Sequence, residues 1–257
     1  MNQDERRKYL IERLQKEQPG YAKMRIPGGT NEQRILLRSL MNIRMPKAID
    51  EEFLSIQDDY LSEVNQAKGV VTLEDMMELK SDIYIWKGDI TRLKVGAIVN
   101  AANSGMTGCY QPCHTCIDNC IHTYAGIQLR MKCAEFIEEQ GHNEPTGQAK
   151  ITPAYNLPSD YVIHTVGPIV QGALTKEHER LLASCYESCL QIADTKQVHS
   201  IAFCCVSTGV FMFPNKRAAE IAVRTVRNYK EKTGSSIKVI FNVFQDKDDD
   251  IYRGLLI

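Results

Sequence analysis

Four cysteines and two histidines fall within the fifteen residues from Gly108 to His122. Thiolate and imidazole are donors that zinc favours, and Cys109, His114 and Cys116 supply two of the first and one of the second. Three protein ligands would leave a fourth position open, the mark of a catalytic rather than a structural zinc. Six donors exceed four, so spacing alone does not choose the set. Cys120 lies one helical turn past Cys116 and could reach the same side, though a small buried residue facing a sheet is the better reading. Cys113 reads as a spectator thiol held off by the turn at Pro112. Cys133, Cys185, Cys189, Cys204 and Cys205 lie in helix or strand patterns and read as core.

Two other chemistries fit parts of this stretch. Pro112-Cys113-His114-Thr115-Cys116 matches half of the zinc nucleobase deaminase signature. The other half needs an upstream His-x-Glu or Cys-x-Glu, and no histidine precedes His114 and no cysteine precedes Cys109. Cys109-x3-Cys113-x2-Cys116 has the cysteine spacing of the radical S-adenosylmethionine enzymes, which hold an iron-sulfur cluster. Thr115 stands where that motif has an aromatic, and the surrounding chain does not suit its large partial barrel.

The elements around this loop have to place it. Apolar runs at Ile83-Tyr84-Ile85-Trp86, Ala97-Ile98-Val99, Ile151 to Tyr155, Tyr161 to Val166, Ile201 to Val206 and Val239 to Phe244 predict short strands, several of them buried on both faces. Helical patterns lie between many of them: Ile117 to Gln140, ended by Gly141, then Thr175 to Asp194, Pro214 to Lys232 and Asp246 to Leu256. Alternating strands and helices predict a three-layer α/β sandwich, and the cysteine-histidine loop then sits beyond a strand's carboxyl end, where such folds bind ligands. Residues 1 to about 80 carry three amphipathic helical stripes, read as packing on the neighbouring domain: Tyr9, Leu10, Ile11 and Leu14; Ile35 to Met41; and Phe53 to Val64 behind a cap at Asp50.

Other strand ends carry candidate ligand groups. Ser207-Thr208-Gly209-Val210-Phe211 follows an apolar strand and precedes a helix, so its main-chain N–H groups could face an anion. Asp89, in Gly88-Asp89-Ile90-Thr91, could cap a turn or accept from a base amino group, and Phe244 could stack on a base. The net charge of −1 over 257 residues supplies no field for nucleic acid or a membrane. No stretch is long and apolar enough to span a bilayer, and the opening Met1-Asn2-Gln3-Asp4-Glu5 is not a signal peptide. A cytoplasmic protein is expected, its nine cysteines serving as thiols or metal ligands.

Four motifs together resemble the macrodomain family: Gly88-Asp89-Ile90-Thr91, Ala97 to Asn103 (with Asn100-Ala101-Ala102-Asn103), Tyr161 to Pro168, and Ser207-Thr208-Gly209-Val210-Phe211. The resemblance covers residues 81–257 and implies an α/β/α macrodomain with a mixed central sheet, preceded by a helical extension over 1–80. Where macrodomains have a glycine-rich loop, this chain carries the cysteine-histidine loop, as in the zinc-containing macrodomains of the bacterial group linked to sirtuins. That group implies ADP-ribose as ligand, a zinc ion held by Cys109, His114 and Cys116, and hydrolysis of the bond from the distal ribose C1″ to a protein carboxylate. The substrate would be a mono-ADP-ribosylated protein, such as a target of a macrodomain-linked sirtuin. By position, Asp89 and Ile90 would hold the adenine and Phe244 would stack on it. Ser207, Thr208, Gly209, Val210 and Phe211 would cradle the diphosphate, Asn103 would contact the distal ribose, and Asp118 would be the functional acid. The alternative is a non-catalytic ADP-ribose reader with a structural zinc, favoured if Cys113 or Cys120 fills the fourth position.

Overall fold

The computed structural model describes residues 1–80 and 82–257. Three helices come first. Asn2 caps α1 (Gln3–Glu17) reciprocally with Glu5, and Asp50 caps α3 (Glu51–Ala67) by accepting from the Phe53 N–H. Between them lies α2 (Thr30–Ile43). The stripes, expected to pack on the neighbouring domain, pack mainly on one another. Leu10, Ile11, Leu14, Leu37, Leu40, Phe53 and Leu61 form one buried cluster, which Ile127 joins from the rest of the chain. Each such side chain contributes about 1.5–3 kcal/mol by leaving water.

Seven strands follow: β1 (Met77–Lys80), β2 (Ile83–Lys87), β3 (Ala97–Ala102), β4 (Ala149–Pro153), β5 (Tyr161–Val166), β6 (Ser200–Phe203) and β7 (Lys238–Val243). They form one mixed sheet in the order β1-β2-β7-β6-β3-β5-β4. The apolar runs predict six of them. The seventh, β1, is a short, mostly exposed edge strand, Met-Glu-Leu-Lys, with no buried face to show in its sequence. β1 and β4 run antiparallel to their neighbours and the five central strands are mutually parallel. The carboxyl ends of β2, β7, β6, β3 and β5 therefore open on one edge. That edge collects Asp89, Phe244, Ser207 and Asn103.

The sheet is flanked by α4 (Ile117–Ala125), α5 (Ile127–Gln140), α6 (Lys176–Thr195), α7 (Asn215–Thr233) and α8 (Asp246–Leu256), giving eight α-helices among the described residues in a three-layer α/β/α arrangement. The single helix predicted over 117–140 is two. Gly126, at φ 100°, breaks it, in a backbone conformation that side chains disfavour. The first N–H of α5, from Ile127, then finds Gln57 Oε1 of α3 at 3.0 Å. Periodicity alone does not show the break, because the buried positions resume in phase beyond it. Among the described residues, no helix is long and apolar enough to cross a membrane.

Candidate active site

The loop between β3 and α4 has little main-chain hydrogen bonding of its own: Met106 N–H donates to the Asn103 carbonyl (2.9 Å) and His114 N–H to the Gln111 carbonyl (3.3 Å). Side chains shape it. Cys109, His114 and Cys116 bring one sulfur or nitrogen each to within 4.8 Å of one another, all three half-buried. Cys109 Sγ and His114 Nδ1 are 3.6 Å apart. A tetrahedron with ordinary zinc–sulfur and zinc–nitrogen bonds has an S···N edge of about 3.6 Å, so the trio fits such an ion. Burial, with the Cys109 thiol adjacent, pushes Cys116 up to about 12, against a weaker opposing effect of the Asn119 N–H on its sulfur. Binding of a cation to that sulfur would displace the proton into solvent, so the thiol would coordinate as thiolate despite its raised value.

The other two loop cysteines go elsewhere. Cys113 Sγ lies 3.2 Å from Ser39 Oγ and faces the Ile35 carbonyl. Cys120 Sγ lies beside Arg38 and the Thr115 carbonyl. Neither joins the trio among the described residues. Cys113 is thus held off, as its position predicts. Cys120 does not face the sheet: it is half-buried and turned toward the helical extension.

Asp118 sits in the first turn of α4, buried at 5% exposure. Asn100 Nδ2 donates to its Oδ1 (2.8 Å) and Asn103 Nδ2 to its Oδ2 (3.3 Å). Burial raises its carboxyl to about 6, against the two asparagines and the Arg130 guanidinium, so it is ionised at neutral pH yet close to the range where it takes a proton. The Asn100 amide also lies 3.2 Å from His164 Nδ1, and His164 Nε2 lies 3.1 Å from Thr152 Oγ1. With Nδ1 accepting, Nε2 carries the proton and donates to Thr152. Asn100 is thereby oriented with its NH2 toward Asp118. His122 Nε2 is 3.5 Å from Asp118 Oδ1, and burial keeps that imidazole neutral by lowering its pKa well below the usual value, with His164 and Arg130 adding to the effect. Gly108 packs on the His122 ring so closely that a Cβ there would come within 2.8 Å of it.

His122, Cys133 and His164 also come within reach of one another, wholly buried. Both ring nitrogens of His164 are used by Asn100 and Thr152, so this group reads as a polar string behind Asp118. Neither Asn100 nor His164 is a candidate on sequence grounds. The visible signals were that Asn100 opens the Asn-Ala-Ala-Asn run and that His122 stands four residues past Asp118 on one helix face; only the β3–β5 register, a feature of the structure, sets Asn100 opposite His164.

The remaining candidates line the same edge. Asp89 and Phe244 lie just beyond adjacent strand ends, since Lys87 pairs with Val243. Phe244 is 74% exposed, a large aromatic face presented outward. Asp89 Oδ1 accepts from Thr91 N–H (3.0 Å) and Oγ1 (2.7 Å), while Oδ2 meets Lys68 Nζ at 3.1 Å. Burial raises its carboxyl, but Lys68 and Thr91 outweigh that and hold it below its ordinary value. Lys68 comes from the end of α3 and lies 3.3 Å from the Tyr124 ring centroid, a contribution of the helical extension that sequence reading did not foresee. The Ile90 side chain is buried, which leaves only its main chain for a ligand.

The Ser207–Phe211 turn is the most open part. Gly209 and Val210 are exposed, and the N–H groups of Gly209, Val210 and Phe211 find no acceptor among the described residues. Ser207, at φ 66°, starts the turn in a left-handed conformation. Thr208 is held by its hydroxyl on the Cys205 carbonyl (2.9 Å). Asn103 is half-buried, with Oδ1 accepting from Gly105 N–H and Nδ2 shared between the Gly108 carbonyl and Asp118.

A family model described as "Macro domain" matches residues 99–222. The chain is 58% identical over 260 residues to a protein named "Protein-ADP-ribose hydrolase" from Treponema medium, covering 100% of each. It is 49% identical over 250 residues to a protein of the same name from Staphylococcus aureus (strain MRSA252), covering 96% of this chain and 94% of that one. Among solved structures, the Trypanosoma brucei macrodomain in complex with ADP-ribose is similar at a TM-score of 0.67 with 28% identity, over 90% of this chain and 97% of that one.

Proposed function

The chain belongs to the macrodomain family, and we propose that it is a zinc-dependent cytoplasmic hydrolase that removes ADP-ribose from mono-ADP-ribosylated protein at carboxylate side chains. The observation that carries this reading is the meeting of an incompletely filled donor trio with a buried, raised carboxyl two residues beyond it. The names of its relatives agree with the hydrolase part. Cys113 and Cys120 both point away from the trio, which leaves a fourth position open and weighs against a reader with a purely structural metal.

Cys109, His114 and Cys116 would hold the ion. When bound, zinc supplies Lewis-acid chemistry, polarising an oxygen of the ribose or phosphate or lowering the pKa of a water. This chain's own groups do the rest. Asp89, the Ile90 main chain and Phe244 bind adenine. The turn of Ser207, Thr208, Gly209, Val210 and Phe211 receives the diphosphate, the N–H groups of Gly209, Val210 and Phe211 being the ones left to donate. Asn103 and Asp118 then stand at the distal ribose. Water adds to C1″ as the bond from C1″ to the acceptor oxygen breaks, and the Asp118 carboxylate takes the water's proton. The departing carboxylate leaves as an anion and asks for no proton. That suits a site whose acid is poised to accept one. Asn100 and Asn103 hold Asp118 ionised and aimed, and neutral His122 packs beside it. We propose a target of a macrodomain-linked sirtuin as the protein substrate, on the pattern of the cysteine-histidine loop and the helical extension.

The test is release of ADP-ribose from a carboxylate-modified protein, with the zinc-loaded chain and again after its metal is stripped. Release that stops on stripping and returns with zinc is expected. ADP-ribose binding without release from the zinc-loaded chain would overturn the hydrolase in favour of the reader.

A further inference from the structure

The loop that carries the donor trio lacks a main-chain ladder, so something else must offset the entropy of ordering it. The helical extension reaches it directly. Arg38 Nη2, on α2, donates to the His114 carbonyl (2.7 Å) and to Asn119 Oδ1 (2.9 Å). Asn119 is fully buried and passes that hold on. Its Nδ2 donates to the carbonyls of Cys109 (3.3 Å) and Gln111 (2.9 Å), and its N–H faces Cys116 Sγ (3.4 Å). Arg38 therefore connects, directly or through the one residue Asn119, to the backbone or sulfur of all three donor residues.

Asn42, one turn further along α2, accepts from the Cys113 N–H (2.9 Å) and donates to Thr123 Oγ1 (2.9 Å). Cys113 stands at φ 52°, a conformation a non-glycine residue keeps only when its surroundings hold it. Arg130 of α5 fastens the other side. Its Nη1 donates to the carbonyls of Met41 (3.2 Å), Asn42 (2.7 Å) and Arg44 (2.6 Å) at the end of α2, and its guanidinium lies 4.3 Å from the ring centroid of Tyr110.

We propose that α2 is the outer wall of the metal centre. Arg38 and Asn42 are positioning residues that keep Cys109, His114 and Cys116 converged, and the helical extension is part of that centre. This rests on reading the trio as metal ligands. Outer hydrogen-bond partners of metal ligands commonly change metal affinity by about 10–100-fold when removed. Loss of Arg38 is expected to act through faster release of the ion.

The experiment uses the full chain loaded with zinc and follows transfer of zinc to a coloured chelator, well below the melting temperature. Arg38→Met and Asn42→Ala are each expected to speed release about tenfold or more. Arg38→Lys keeps the charge without the fork, and should fall between Arg38→Met and the parent; it carries the comparison if Arg38→Met does not fold. Ile11→Val loosens the core of the extension away from the loop, and should leave release unchanged. Equal release from the parent and the Arg38 and Asn42 variants overturns the proposal. So does Ile11→Val accelerating release as much as they do, which would mark general loosening. A parent chain that takes up no zinc overturns the metal reading, and the proposal with it, before any variant is compared.

Discussion

At the Ser207–Phe211 turn the groups offered to a ligand are main-chain N–H donors on an exposed loop. From Cys109 to Asp118 they are side chains, half-buried or buried, each held by other side chains. The first arrangement asks little of residue identity beyond a turn that lets the backbone face outward. The second depends on a buried string from Thr152 through His164 and Asn100 to Asp118, and on a brace from α2. On the proposed reading, anion binding and chemistry at a sugar carbon rest on different materials along one edge of the sheet, and substitutions should tell them apart.

The largest effect is expected from Asp118→Asn, which keeps an oxygen for Asn100 but cannot take a proton. Turnover should fall about 10²–10⁴-fold with ADP-ribose affinity and zinc content unchanged. Loss of affinity in step with turnover would break the division between the two regions. Turnover assays and calorimetry on one preparation decide it.

Acid should act next, through the buried string. His164 is pushed down to about 3 by burial, well below its unfolded value, so the fold keeps it neutral while the unfolded chain protonates. Its contribution to stability is complete above about 6.5 and is lost as pH falls toward 3, at about 1.4 kcal/mol per pH unit. His164→Gln should flatten the acid limb of a denaturation profile relative to the parent. An unchanged limb would show that this imidazole already titrates in the folded chain.

Phe244→Ala tests the groove beyond both regions. If the exposed ring stacks on the adenine as proposed, its removal should weaken ADP-ribose binding by about 1–3 kcal/mol, with no change in zinc content. The smallest effect belongs to the turn. Val210 is 72% exposed, and Val210→Ala should shift stability by no more than about 0.5 kcal/mol and leave ADP-ribose affinity nearly unchanged, since the N–H remains. Val210→Pro removes that N–H, and a loss of affinity confined to the proline variant would sharpen the comparison.

Much of the fold was legible in local pattern. Five strands stand out as apolar runs because the central sheet is buried on both faces, β4 shows as a shorter run at a half-buried edge, and the three stripes of the extension show because each helix buries one side. β1 did not show, being an exposed edge. The break at Gly126 did not show either, because what re-caps the chain there is Gln57, seventy residues away in sequence from Ile127.

The site divides the same way. Residue types and spacing by themselves determined the donor stretch, the strand-end motifs and the open turn, because those depend on neighbours in the chain. The trio Cys109, His114 and Cys116 was already singled out by the family resemblance, and the structure brings the same three together; tertiary structure alone decided that Cys120 turns toward α2 rather than the sheet, that Lys68 meets Asp89, and that Asn100 and His164 aim Asp118. Each of those outcomes is a contact between groups brought together by packing or strand register. A hydrogen bond of 2.7 Å between Arg38 and the His114 carbonyl, spanning 76 residues, leaves no trace in the local pattern of either segment.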